Sequence, residues 1–270
     1  MSQARSPTKR GGSQAAKPKP AQASAGSKAR KATAAKAVSP GEQAAPVLRS
    51  QAEVRACYKK LVAAHPDAHC ELDHKNPFEL IVATALSAQS TDVQVNKVTP
   101  ALFKSFPTPE RLAKASQEQV ENCINSLGMF RQKAKNLISL SQALVRDHQG
   151  QVPADLDALV QLAGVGRKTA NVVLGVAFNA PVGVVVDTHV QRISQRLGWT
   201  NQSDVSKIEQ DLMRLLPKSE WDRISHTLIF HGRRICTARK PACSTCPVNK
   251  QCAHAFHAEE IGRKPKRVRP

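Results

Sequence analysis

An all-α fold is what this sequence predicts, on three observations. Helix-start signatures recur from Ser50 onward, each followed by apolar residues at helical spacing. No segment alternates apolar and polar residues as a half-buried strand does. Hydrophobic residues make up 41% of the chain but aromatics only 4%, so Ala, Leu and Val must build the core, and Ala and Leu favour helices.

The elements follow in order. Ser50 and Glu53 form a capping-box pattern ahead of Val54, Cys57, Leu61 and Val62. Asn76-Pro77-Phe78-Glu79 sets an N-cap and a proline at the first helical position, leading into Leu80, Ile81, Thr84 and Ala85. Residues 92–106 read as helix, with Pro100 expected to kink or break it. Thr108-Pro109-Glu110-Arg111 and Ser116-Gln117-Glu118-Gln119 start two short helices, and Gly128 interrupts. Residues 131–148 form an amphipathic helix with Ala134, Leu137, Ile138, Leu140 and Leu144 on its inner face. A short helix over 156–162 and a longer one from Arg167 to about Phe178 flank a glycine turn. Three more are expected at roughly 187–197, 204–216 and 219–231.

Charge is unevenly spread. The net charge is +19 over 270 residues. Residues 1–50 carry ten Lys/Arg against Glu42 alone, and residues 261–270 carry five more basic groups, so most of the excess lies at the ends. Residues 1–48 are Ala-, Lys-, Pro- and Ser-rich with almost no large apolar groups, a composition that cannot offset its ordering entropy. Disorder is expected there, and likewise a basic tail over 258–270. Such tails suit a polyanion. No run is long and apolar enough to span a membrane, and nothing near Met1 resembles a secretory signal, so no membrane partner is expected. A cytoplasmic or nucleoid location in a bacterium follows, with an organelle transit peptide at the Ser/Arg-rich start as the open alternative.

One stretch, Leu162 to Val190, concentrates the chemistry: LAGVGRKTANVVLGVAFNAPVGVVVDTHV. Gly164-Val165-Gly166 makes a tight turn just before a helix, where free N–H groups and the positive helix end can meet an anion. Lys168 sits in that first turn, and Asp187 stands where the next long helix starts. A lysine and a carboxylate at helix starts beside a phosphate-binding turn point to chemistry on a nucleic acid. Further along, Cys236, Cys243, Cys246 and Cys252 are spaced C-x6-C-x2-C-x5-C. Without a secretory signal, clustered cysteines favour a metal over disulfides. Four thiolates in so short a span suit tetrahedral zinc or an iron–sulfur cluster, and the spacing alone leaves both open.

These residues carry a family resemblance. VGRKTANVVL and VDTHV, in that order and spacing, resemble the lysine and aspartate segments of the endonuclease III family of helix-hairpin-helix DNA glycosylases. The x6-x2-x5 cysteine spacing after them is similar to that family's [4Fe–4S] loop, and the resemblance makes the four cysteines its ligands. It implies a six-helix domain over about 70–181, inserted into a cluster domain made of 49–69 and 182–257. It implies a monomeric base-excision repair enzyme that removes oxidised pyrimidines from double-stranded DNA and nicks the resulting abasic site. Lys168 would attack C1′ once neutral, and Asp187 would take its proton or stabilise the developing positive sugar. Leu86-Ser87-Ala88-Gln89-Ser90-Thr91-Asp92 resembles the segment whose glutamine fills the space of a flipped base, here Gln89. Leu127-Gly128-Met129-Phe130 matches the wedge loop.

The same resemblance places Gly164, Val165, Gly166, Arg167, Thr188 and His189 against DNA, together with Arg239 and Lys240 of the cysteine loop. Two positions depart from the pattern. Met129 stands where the family has leucine, and Ala163 where it has proline before the turn. Two rival functions remain at this point. A monofunctional adenine-type glycosylase shares the cysteines and the aspartate but lacks the lysine. A non-catalytic iron–sulfur DNA-binding module fits the basic tails and the metal equally well. Deleting residues 1–48 is expected to weaken DNA affinity most at low salt and to leave cooperative thermal unfolding intact, measured by salt titration of binding and by a melting curve.

Overall fold

Eleven α-helices and three short 3-10 turns make up residues 48–257, the part of the chain that the computed structural model describes, and no strand occurs among them. The basic tails read from the sequence, residues 1–48 apart from Leu48 and residues 258–270, lie outside the described residues. No helix among the described residues is long and apolar enough to cross a membrane.

The helices begin where capping chemistry starts them. Helix α1 (Gln51–Ala64) has both arms of the Ser50–Glu53 capping box. Helix α2 (Pro77–Leu86) is capped by Asn76. Helix α3 (Asp92–Ser105) is capped by Thr91. The helix continues through Pro100, so of the expected kink or break the break does not occur. Pro100 is exposed, and its ring and the carbonyl it leaves unpaired can face water on the outer side. Helices α4 (Pro109–Ala113) and α5 (Gln117–Ile124) follow, capped by Thr108 and Ser116. Helix α6 (Phe130–His148) has Met129 as its N-cap, with no side-chain cap bond. Helices α7 (Leu156–Val160) and α8 (Arg167–Phe178) enclose the glycine turn. Helix α9 (Thr188–Arg196) is capped by Asp187, and α10 (Val205–Leu215) by Asp204. A 3-10 turn at Lys218–Glu220 then leads into α11 (Trp221–Arg234), one turn further than the sequence pattern reached.

Two apolar clusters form the interior. The first gathers α2 to α8, from Leu72 to Leu174, around fully buried Leu80, Ile81, Leu102, Leu137 and Leu140. Within it α2 lies against α8, α3 against α5, and α4 and α5 against α6. The second gathers Val54, Cys57, Tyr58 and Leu61 of α1 with residues from Val184 to Val248. Here α11 packs on both α1 and α9. The chain passes from one cluster to the other at Gly183: Val182 packs against the first and Val184 is buried in the second.

Two polar fastenings bind the clusters. Glu209 of α10, itself buried, accepts from Asn171 Nδ2 of α8 at 3.0 Å and pairs with Arg167 Nε at 3.5 Å. At the far side, the last turn of α11 holds the approach to α2 and the start of α3. Arg233 donates to Asp92 Oδ2 at 2.8 Å and also to Glu71, and Arg234 donates to Glu71 Oε1 at 3.0 Å. Burial by itself raises the Glu71 carboxyl, but the two guanidiniums hold it below the usual carboxylate range.

Two predictions follow from these fastenings. A Cβ at Gly183 would lie 1.9 Å from Glu209 Oε1 and 2.8 Å from Asn171 Nδ2, so Gly183→Ala must displace a buried, bonded carboxylate. It is expected to destabilise the fold by about 1–3 kcal/mol in urea denaturation. For Glu71 the folded-state carboxyl is held low, so its contribution is present above the ordinary carboxylate value of 4.5 and fades as the pH falls through the lowered one. Glu71→Gln should therefore cost about 1 kcal/mol at pH 7, and the gap to wild type should narrow in unfolding measurements as the pH is taken below 4.5.

Candidate functional site

Lys168 and Asp187 come together at one cleft, although they start different helices. A cavity of about 270 Å³ is lined by both, together with Gln89, Asp92, Ser225, Arg233 and the 69–72 approach to α2. Lys168 is the second residue of α8 and is exposed. Helix α8 has Gly166 as N-cap, with no side chain to occupy its first N–H groups. A Cβ at Gly166 would meet nothing within 4 Å, so the space in front of the helix end is open. That is the arrangement an anion needs. Gly164 adopts φ +77°, and a Cβ there would lie 3.0 Å from Asn136 Nδ2, so both backbone conformation and space call for glycine.

Asp187 caps α9 through one oxygen. Its Oδ1 accepts from the backbone N–H groups of His189 and Val190, both at 2.8 Å. Its Oδ2 makes no hydrogen bond among the described residues, which leaves it for the cleft. The preceding segment is tied down by Val185 N–H, which donates to Ser225 Oγ at 3.0 Å.

The other residues singled out in the sequence are distributed around this cleft. Gln89 is exposed at its rim with φ +55°, and Met129 is 53% exposed with φ +55°. Left-handed backbone is uncommon for residues other than glycine and clusters where a side chain must be presented. Met129 and Gly164 share a neighbouring hollow. Thr188 and His189 line an open groove beside Asp187, and Arg239 and Lys240 are exposed on the cysteine loop. Arg167 is exposed yet committed to Glu209. Leu127 and Val165 differ from the rest: both side chains are buried in the first cluster, so only their main chain can reach a ligand.

The four cysteines converge. Cys236, Cys243, Cys246 and Cys252 line one small cavity with Arg196 and His231. Four cysteine sulfurs around one cavity are the donor set that an iron–sulfur group takes, so the residues fit such a group. Burial pushes the Cys252 thiol up to about 11 and raises Cys246 as well, so these sulfurs need a bound cation to exist as thiolates.

Two arginines that the sequence reading did not single out brace this loop. Arg192 donates to the carbonyls of Gly232 and Cys236, both at 3.0 Å. Arg196 donates to Cys236 Sγ at 3.3 Å and to the carbonyls of Thr237 and Ala238, both at 2.9 Å. Their i, i+4 spacing, which puts both on one side of α9, was the available signal. Arg233 and Glu71 gave none, because their pairing joins segments distant in the chain.

With this geometry in view, comparison with known proteins is informative. Residues 82–218 match the HhH-GPD superfamily of base excision DNA repair proteins, and residues 236–252 match the iron–sulfur binding domain of endonuclease III. The chain is 48% identical to endonuclease III of Synechocystis sp. over 203 residues, 75% of this chain and 91% of that one. It is 48% identical to endonuclease III of Bacillus subtilis over 211 residues, 78% and 96% of the respective chains. A solved structure of a trapped endonuclease III–DNA covalent intermediate superposes with a TM-score of 0.74 at 44% identity, covering 80% of this chain and all of that one. The cleft, the uncapped helix end and the four-cysteine loop therefore sit in a protein of known type: this chain belongs to the endonuclease III family, the [4Fe–4S] DNA N-glycosylase/AP lyases of base-excision repair.

Proposed function

We propose that Lys168 is the nucleophile and Asp187 the assisting carboxylate in a reaction that releases oxidised or ring-saturated pyrimidines from duplex DNA and then nicks the strand. The observation that carries this reading is the convergence of the two side chains on one cleft beside an uncapped helix end. The helix end and the Gly164–Gly166 turn offer main-chain N–H groups to a phosphate, which would set the register of the strand. With the strand so held, a flipped nucleotide enters the cleft.

Lys168 Nζ attacks C1′ with its lone pair as the C1′–N bond to the base breaks, and the base leaves with a proton. In this reading the Oδ2 of Asp187 receives the lysine proton or faces the positive charge growing on the sugar. The nitrogen lone pair then expels O4′, which takes up a proton, and the opened sugar is held as a protonated Schiff base whose positive nitrogen makes the C2′ proton acidic. A proton is then lost from C2′, the C3′–O bond breaks, and the strand is cut. Lys168 is exposed in the free protein, and a bound duplex would cover it. The trapped covalent intermediate of the related enzyme supports a covalent route, and a lysine in the cleft disfavours the adenine-type alternative.

Gln89 and Met129 are read as the side chains that fill the space of the flipped base and wedge the opposite strand. Arg239 and Lys240 of the cysteine loop, together with Thr188 and His189, are read as phosphate contacts. When bound to the four cysteines, the [4Fe–4S] cluster supplies structural order to that loop, since four thiolates leave it no open coordination position for substrate. One chain carries lysine, carboxylate and cysteines in a single compact unit, which supports a monomer.

Borohydride added during turnover on a duplex containing an oxidised pyrimidine is expected to lock protein to DNA. Lys168→Gln should abolish the adduct and reduce strand cleavage by at least about a thousandfold while lesion binding persists. Asp187→Asn should slow base release by about 10²–10⁴-fold and slow nicking of a preformed abasic site less. Adduct formation by Lys168→Gln at the normal rate would assign the nucleophile elsewhere.

A further inference from the structure

Lys133 is 6% exposed in the first turns of α6, and its amine donates to Ser90 Oγ at 2.8 Å. No carboxylate among the described residues pairs with it, and burial pushes it below the ordinary lysine range. Burying a cation on a single hydroxyl partner costs stability, and an apolar side chain of similar length would fill the space more cheaply. Stability does not account for this residue, but the bond its side chain makes to Ser90 does.

Lys133 therefore stands between two turns: its main chain continues from the Met129 turn and its side chain reaches the turn that carries Gln89. The Lys133 N–H donates to Met129 O at 3.0 Å, fixing the start of α6, while its side chain holds Ser90, the neighbour of Gln89. Gln89 and Met129 both have φ +55°. Such backbone costs about 1 kcal/mol or more per residue and persists only where surroundings enforce it. A hollow of about 100 Å³, lined by Ala88, Met129, Lys133 and Gly164, lies between the two turns.

We infer that Lys133 is a positioning residue that, through Ser90, sets the spacing between Gln89 and Met129 and so controls how the gap left by a flipped base is filled. The inference rests on the reading that Gln89 and Met129 enter the duplex. A flipped base leaves a hole whose unstacking costs a few kcal/mol. Two side chains fill it together only if their separation is held before DNA arrives.

The test compares strand cleavage at an abasic site in duplex DNA with cleavage of the same single strand, which needs no gap filling. Lys133→Met and Ser90→Ala should each lower the duplex-to-single-strand ratio about tenfold, and the double variant should fall no further. Gln89→Ala should lower the ratio too. If Gln89→Ala leaves it unchanged, the gap-filling reading fails and this inference falls with it. If Gln89→Ala lowers it and both other variants do not, the positioning role alone is overturned. A fall with Lys133→Met but not with Ser90→Ala assigns the effect to the lysine's charge and overturns the inference, as does equal loss on both substrates, which marks a structural role. Ser90→Ala keeps the charge and alters a half-buried turn, so it decides the question even if Lys133→Met does not fold.

Discussion

Helix α9 is the member on which the rest of the site depends. Its first N–H groups hold Asp187, and its last turns hold the cysteine loop through Arg192 and Arg196. One rigid element thus joins the cleft carboxylate to the iron–sulfur site. A helix transmits position well because its main-chain bonds are internal, so its two ends move together. The guanidiniums add five donor positions each, and here they meet main-chain carbonyls, which cannot rotate away. His231 closes the arrangement from α11. It is buried with one ring nitrogen 3.6 Å from Cys246 Sγ and the other 3.0 Å from His65, and burial lowers it to about 4, which keeps it neutral there.

Around that fixed member the protein spends stability locally. Gln89 and Met129 stand in left-handed backbone, and Lys133 is buried without a countercharge. Each runs against the preference of its residue type; Gln89 lines the cleft, and Met129 and Lys133 line the hollow beside it. At most helix starts local preference and tertiary structure agree: Ser50, Asn76, Thr91, Thr108, Ser116, Asp155, Asp187 and Asp204 each cap the helix they precede. Sites where a consistent sequence breaks its own rules are where function is expected. The uncapped start of α8 belongs with them, since a serine or aspartate at Gly166 would satisfy the N–H groups that an anion needs.

Much of this was legible in the amino acids. Capping residues and 3.6-residue periodicity are local, so helix starts and inner faces could be read off directly, as α1, α2 and α6 show. Pro100 misled because the effect of a proline depends on which side of the helix meets water, and spacing alone does not say. Leu127 was legible as part of a motif, but its burial was not, because burial depends on what packs above it.

The sequence by itself determined the all-α class, the glycine turn, the lysine and aspartate at helix starts, and a four-cysteine metal loop. These rest on interactions between residues a few positions apart, or on a spacing that one ligand set imposes. Only the tertiary structure decided that Lys168 and Asp187 share a cleft, that Arg192 and Arg196 brace the cysteine loop, and that Arg233 clamps Glu71 and Asp92. It alone brought Lys133 to Ser90, forty-three residues away in the chain. Such contacts arise when helices close on shared apolar clusters. Their partners are chosen by packing, which no single segment of the chain encodes.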